Sequence, residues 1–438
     1  MERKFDPILV QIIKNELATV NEEMAIAVYR TGRSAMVKVG DFATAVCDAQ
    51  GRVVGEGAAP FQIGIFMVVL ETILDKFGGT WHPGDVVVVN DPYAGMGHMP
   101  DVAIVAPAFW RDQLIGFTLA YSHHTDIGGR FPGGFSSQCT ESYEEGMRIP
   151  PVKLDQAGVR NDTLLEMIQA NVRAPEEWVG DVQAKIAGCR RGELELRAIV
   201  EKYGLEVFNS SCDYFVDYAE KATRVAIRTI AAGEYVYEDS FEDDGFGGAD
   251  VAMPLRVALR VSGDSLTVDF TGTAQQARAA INMPFGMTRG TVYGAIKSIV
   301  SPDALTNVGF ARPISIVAPE GTLVNPCHPA AVGGRAPLFF RIFDMMFRVL
   351  AQALPDKVGV AGEGGDVLHF SGTKPDGSHF SFMDLFFGGW GGRPANDIDG
   401  VAPMSFGSYG SVPAEVLERE FPVVVDGFGY VTDTEGAG

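Results

Sequence analysis

Apolar residues in the first thirty positions recur every three or four residues. Ile13, Leu17, Val20, Met24 and Val28 mark one helical face, and Asp6-Pro7 supplies a cap followed by a first-turn proline. The pattern predicts a long N-terminal helix up to Gly32, its apolar stripe facing a core or a subunit contact. From Asp41 the period shortens. Segments 43–48 and 52–56 flank Ala49-Gln50-Gly51 and read as a hairpin. Residues 66–77 return to helical spacing and stop at Gly78-Gly79. Residues 85–90 carry four successive valines, as in a buried strand. Strands 101–109 and 114–122 follow, joined by 110–113. Residues 160–203 read as helix with breaks near Pro175 and Gly192, and 212–231 as a further helix.

After Gly233 the chain turns to β character. Segments 254–261 and 265–270 flank Ser262-Gly263-Asp264, a hairpin signal. Segments 291–298 and 338–354 are helical again, and the tail from Gly359 is rich in glycine and aromatics, including the run from Phe386 to Gly392. The mixture predicts an α+β fold with several antiparallel or mixed sheets, a long N-terminal helix and a helical section near 160–231. A soft boundary near Gly233 separates residues 1–232 from a β-rich 233–438.

Composition narrows the classes. A chain of 438 residues exceeds one ordinary domain. Asp and Glu number 56 against 35 Lys and Arg, a net charge of −21, which argues against nucleic acid and anionic membrane as partners. The charged opening Glu2-Arg3-Lys4 is no secretion signal, and no apolar run approaches the ~18 residues of a membrane span. Cys47, Cys139, Cys189, Cys212 and Cys327 are scattered without a C-x-x-C, as in a cytoplasmic enzyme with reduced thiols.

Candidate chemistry gathers at Asn90-Asp91-Pro92-Tyr93, at His98-Met99-Pro100-Asp101, and at Ser122-His123-His124-Thr125-Asp126. If 101–109 and 114–122 form a hairpin, paired numbers sum to about 223. Asp101 then faces about Ser122, and His98 about Thr125, so two distant segments converge at one sheet edge. Histidine with carboxylate and no cysteine suits Zn, Mn or Fe. On a regular strand His123 and His124 point to opposite faces, and spacing does not choose between them. Asp41 is a candidate fourth ligand or a turn carboxylate; Asp126 is a candidate orienting partner or an Asx-turn residue. Glu144, Glu145 and Asp91 read as solvated or turn carboxylates. Gly333-Gly334, Gly364-Gly365 and the 386–392 run can cradle anions or simply turn the chain. No G-x-x-x-x-G-K-[ST] or G-x-S-x-G occurs, and adjacent Cys327-His328 diverge on a strand.

These residues, with Lys38-Val39-Gly40-Asp41-Phe42, Pro83-Gly84-Asp85-Val86, Glu145-Gly146-Met147-Arg148-Ile149-Pro150-Pro151, Asn171-Val172-Arg173, Val268-Asp269-Phe270-Thr271-Gly272-Thr273 and Asn307-Val308-Gly309, make the chain resemble the hydantoinase B family. That family includes subunits of ATP-dependent hydantoinases, 5-oxoprolinase, caprolactamase, and acetone and acetophenone carboxylases. The resemblance implies a hydantoinase A-type ATPase partner with an actin-like fold, which binds ATP and phosphorylates the substrate oxygen, in a hetero-oligomer. It implies a divalent metal on Asp41, His98, Asp101 and His123, with His124 and Asp126 as neighbouring groups able to move a proton. An unstrained amide is a poor electrophile; activation of its oxygen, with water acidified by the metal from 15.7 toward about 7, opens the ring. The leading expectation is therefore a cyclic amide hydrolase subunit. A ketone carboxylase subunit is the first alternative, and an assembly subunit without turnover the second. The family pattern D-S-G-G-x-G-x-x-R-G-G is met by Asp433-Thr434-Glu435-Gly436-Ala437-Gly438, where the chain stops, so it reads as truncated or short.

Overall fold

The computed structural model describes residues 7–55, 60–242, 252–359, 364–387 and 412–427, with 246, 362 and 429. Asp6, Glu56, the 388–392 part of the glycine-aromatic run and the 433–438 terminus lie outside the described residues.

Helices α1 (Pro7–Thr31) and α2 (Ala35–Val39) lead into strand β1 (Phe42–Asp48) and helix α3 (Pro60–Phe77). Strands β2 (Val86–Val89), β3 (Asp101–Trp110), β4 (Gln113–His123), β5 (Val152–Gln156) and β6 (Val159–Arg160) come next. Helices α4 (Asp162–Gln169), α5 (Pro175–Tyr203) and α6 (Leu205–Ile227) form the central helical section. Strands β7 (Gly233–Phe241), β8 (Met253–Ser262) and β9 (Ser265–Asp269) precede α7 (Phe285–Ile299), α8 (Val308–Ala311), β10 (Ile314–Val317) and α9 (Ala336–Ala353). The hairpin β11 (Gly365–Thr373) and β12 (His379–Phe387) and the short α10 (Ala414–Glu420) complete the described fold.

Strands β1 to β6 make an antiparallel sheet in the order β1-β4-β3-β2-β5-β6. A second sheet, β10-β9-β8-β7, is mixed, because β10 runs parallel to β9. The fold is thus α+β, as the sequence pattern predicts.

Alternation explains why the first sheet is apolar throughout. Val87, Val89, Val105 and Leu119 join a large core with residues of α1, α3, α7 and α9. Their neighbours Val86, Val88, Ile104 and Ala120 join a second cluster with Trp178, Val182 and Cys189 of α5. With both faces covered, four successive valines are the expected solution. The large core also crosses Gly233: Phe66 and Leu70 share it with Met287, Phe339 and Phe343.

Three expectations need correction. Residues 52–55 form no strand; Val53 makes a single bridge to Cys47. Asp48 instead closes a tight turn, its carboxylate accepting from the backbone N–H groups of Gln50 and Arg52 and from Arg52 Nε, and β1 pairs along its whole length with β4. Second, α5 runs unbroken through Gly192. A Cβ there would lie 2.4 Å from Met24 Sδ, and one on Gly188 would lie 2.7 Å from Val28 Cγ2. These glycines are the contact through which α1 approaches α5, and that packing outweighs a helix-propensity cost of about 1 kcal/mol each. Third, the β3–β4 pairs sum to 223 only near the turn (Phe109 with Leu114). A bulge between Ala108 and Phe109 raises the sum by one, so Asp101 faces His123 rather than Ser122.

Candidate metal centre

The site forms where three neighbouring strands end together. Ser34 caps α2, and Gly40 ends it with φ 96°, a conformation that favours glycine; Asp41 then stands at the start of β1. The Asp41 carbonyl accepts the His123 N–H at 3.1 Å, and His123 in turn pairs with Asp101 across β3–β4. His98 arrives on a loop held by Asn90. The Asn90 side chain donates to the carbonyls of Met99 and Met147 and accepts from Ile149 N–H. A turn bond from Asp101 N–H to the His98 carbonyl, 3.2 Å, closes the loop.

Three ligand-type atoms converge as a result. His98 Nε2 is 3.0 Å from His123 Nδ1 and 3.2 Å from Asp101 Oδ1, and His123 Nδ1 is 3.3 Å from the same oxygen. All three residues are buried, and among the described residues they are the one compact group of histidine, cysteine and carboxylate atoms able to hold an ion. Asp41 borders the same cavity without entering that group; its carboxylate accepts from Tyr121 at 3.4 Å.

The cavity beside them measures about 50 Å³, room for several water-sized groups. Phe61, Ile65, Met287, Phe339 and Phe340 supply an apolar wall, and Val367, Met383 and Leu385 of the β11–β12 hairpin another. Phe135 meets the His98 ring edge-on at 4.9 Å. The cation in the wall is Arg335, whose Nη2 lies 3.2 Å from Asp101 Oδ2.

Burial sets the charge states. Desolvation and the Arg335 guanidinium push His98 down to about 3, so its imidazole is neutral and free to donate a lone pair. Burial opposes ionisation of Asp101, but His98, His123 and Arg335 outweigh it and hold the carboxyl well below the usual range. Burial raises Asp41 to about 6, partly offset by His123.

The donor set fits a divalent cation. Two imidazole nitrogens and one carboxylate oxygen face a common point. At most one proton can lie between the two nitrogens, whereas one ion satisfies all three lone pairs at once. His98 Nδ1 and His123 Nε2 have no hydrogen-bond partner among the described residues, so no neighbour enforces another tautomer.

His124 and Asp126 do not line this cavity. His124, one residue past the end of β4, turns to the side opposite His123, and its Nε2 lies 2.6 Å from Lys185 Nζ. Asp126 anchors a loop: its carboxylate accepts from the N–H groups of Gly128, Gly133 and Arg173 and pairs with the Arg173 guanidinium at 2.9 Å. Asp91 caps the 92–94 turn. Glu144 pairs with Arg130 at 3.3 Å on the surface.

Sequence reasoning missed Arg335, Lys185 and the role of Glu145. Glu145 is buried and accepts from Val332 N–H at 2.8 Å and Gly333 N–H at 2.5 Å. The Gly333-Gly334 turn thus receives the chain's own Glu145 carboxyl on its backbone N–H groups, and so presents Arg335 to the cavity. The signal available was a Gly-Gly-Arg step ahead of a helical segment.

Comparison with known proteins decides the family. Residues 6–438 match the Hydantoinase B/oxoprolinase family. The chain belongs to the hydantoinase B/oxoprolinase family. It is 33% identical to a chain of Pseudomonas sp. (strain NS671) named for the B component of a D-/L-hydantoinase, covering 97% of this chain and 74% of that one. It is 26% identical to "5-oxoprolinase 1" of Arabidopsis thaliana, covering 100% of this chain and 36% of that one. The crystal structure of the ATP-dependent caprolactamase from Pseudomonas jessenii superposes with a TM-score of 0.90 at 26% identity, covering 99% of this chain and 76% of that one. A nucleotide-free acetone carboxylase matches in fold, with a TM-score of 0.85 at 18% identity over 96% of this chain and 59% of that one. Its named relatives thus include a D-/L-hydantoinase component, a 5-oxoprolinase and an ATP-dependent caprolactamase.

Proposed function

We propose that this chain is the metal-binding subunit of an ATP-dependent cyclic amide hydrolase, opening a lactam-type ring that an A-type ATPase partner has activated. The observation carrying this reading is the convergence of His98, Asp101 and His123 beside a cavity walled by aromatic side chains. Names of relatives support the reaction class: a hydantoinase component, the beta chain of a caprolactamase and a 5-oxoprolinase.

His98, Asp101 and His123 would hold the ion, and Asp41 borders it as a fourth oxygen donor. A divalent ion bound there supplies a Lewis acid that acidifies water and polarises a carbon–oxygen bond. The chain's own residues do the rest. Arg335 braces Asp101 and places its Nε, which lacks a partner among the described residues, in the wall where negative charge develops. Asp41, which burial raises to about 6, faces the cavity, whereas His124 and Asp126 do not line it. Phe61, Phe135, Phe339 and Phe340 exclude bulk water, which strengthens each of these interactions.

The test is ATP-dependent ring opening of caprolactam, hydantoin and 5-oxoproline by the chain co-purified with its A-type partner, against the His98→Ala variant. Loss of ring opening by at least about 1,000-fold in the variant is expected. Ring opening at the wild-type rate by a metal-free variant contradicts the proposal. Labelled bicarbonate appearing in product would move the chain to the carboxylase branch.

A further inference from the structure

Lys185 has no place in the chemistry described so far, yet it is fully buried. It lies on α5, against the face of the sheet opposite the cavity. Its Nζ donates to Val102 carbonyl at 3.0 Å and to Ser122 Oγ at 2.9 Å, and it lies 2.6 Å from His124 Nε2. Each of these three partners is a chain neighbour of a metal-site residue. Val102 follows Asp101, and Ser122 and His124 flank His123 on either side.

The same helix reaches the third segment one turn earlier. Asp181 accepts the N–H groups of Arg33 at 2.6 Å and Ser34 at 3.1 Å. Ser34 caps α2, the helix that delivers Asp41. Trp178, a turn earlier again, packs on the His124 ring at 5.3 Å. Helix α5 thus contacts, from behind, the strand ends that carry Asp101 and His123 and the cap of the helix that leads to Asp41.

We propose that Lys185 is a positioning residue of the metal centre, tying the ends of β3 and β4 so that Asp101 and His123 keep a common aim. The proposal rests on the metal reading above. Burying an ammonium is costly, and an apolar side chain of similar length fills the same space without that cost. What an apolar side chain cannot do is bond both strand ends at once. Partners of this kind, one step removed from the ion, set ligand direction and hold metal affinity.

Cobalt(II) is the probe for the test, with its dissociation constant measured by equilibrium dialysis and its visible bands recorded on the full chain. Lys185→Met is expected to keep the wild-type circular dichroism, to bind cobalt about 10–100-fold more weakly, and to show shifted bands. Ser122→Ala keeps Lys185 and removes one acceptor, and a smaller loss of affinity is expected. Cys189→Ala strips contacts to the Ile104 and Thr118 carbonyls farther along the same strands. It is expected to lower the melting temperature and leave cobalt affinity unchanged. Wild-type affinity and bands in Lys185→Met overturn the proposal, as does an equal affinity loss in Cys189→Ala. If Lys185→Met does not fold, unchanged affinity in Ser122→Ala overturns it. If the wild-type chain takes up no cobalt, the metal reading itself fails. A crystal structure of Lys185→Met with Asp101 and His123 unmoved then overturns the positioning role separately.

Discussion

At Arg335 a guanidinium is held in a buried wall, its charge answered by Asp101 at 3.2 Å. Removing one partner strands the other, so Arg335→Ala is expected to cost about 3–5 kcal/mol in denaturant unfolding. It is also expected to lower turnover of the complex by about 100-fold or more, through loss of the brace and of the cavity's positive charge. Wild-type turnover in a folded Arg335→Ala would remove Arg335 from the mechanism. Glu145 gives a pH signature. Burial raises it from 4.5 to about 7, partly offset by the Val332 and Gly333 N–H groups. Between those values the native state holds a proton that the unfolded chain has released. Its stabilising contribution is therefore full below 4.5 and is lost as pH rises through 7. Relative to Glu145→Gln, the wild type should lose up to about 3 kcal/mol across that window, measured by denaturation at several pH values. A pH-independent difference would contradict the assignment. His98 and Asp101 are three positions apart, and His123 follows from a strand register, so spacing and pairing bring them together. Arg335 is 234 positions from Asp101, and Lys185 is 61 from His124. No local pattern carries such a pairing.

Among the elements, β2, β3, β4, α1 and the β8–β9 hairpin are legible because period and turn chemistry agree. What escapes the pattern is contact between elements. Gly192 reads as a break until α1 is seen lying against it, and the bulge at Ala108 shifts the register through a local distortion without a sequence marker. The crossing of α3 and α7 is tighter than that of α1 and α5. A Cβ on Gly290 would lie 2.1 Å from the Phe61 carbonyl oxygen, and one on Gly64 would lie 2.2 Å from Gly290 N. Backbone atoms cannot yield as the Met24 thioether beside Gly192 can. Gly290→Ala is thus expected to destabilise the chain by about 3 kcal/mol or more, and Gly192→Ala by about 1–2 kcal/mol. Because Phe61, Ile65 and Met287 line the cavity from those two helices, Gly290→Ala should also lower activity. Equal melting temperatures in the two variants would contradict this ranking.

Across the whole molecule, the change of character at Gly233 coincides with the start of β7, but one apolar core serves both sides of it. The cavity is built the same way. Asp41, His98, Asp101 and His123 come from the first half, and Arg335, Phe339, Met383 and Leu385 from the second. The five cysteines are free, and among the described residues no helix is long and apolar enough to cross a membrane. The proposed function leaves nucleotide chemistry to an A-type partner, so the isolated chain should hydrolyse no ATP above background, and a steady ATP turnover by it would break that division of labour. The central claim is that the strand ends carrying Asp101 and His123, with His98, hold a divalent ion. It is tested most directly by the metal content of the purified full chain, measured by mass spectrometry before and after chelation and reloading. One tightly held divalent ion per chain is expected, lost in both His98→Ala and Asp101→Asn. A wild-type chain that is metal-free, refuses reloading, and still supports ring opening with its partner would contradict it.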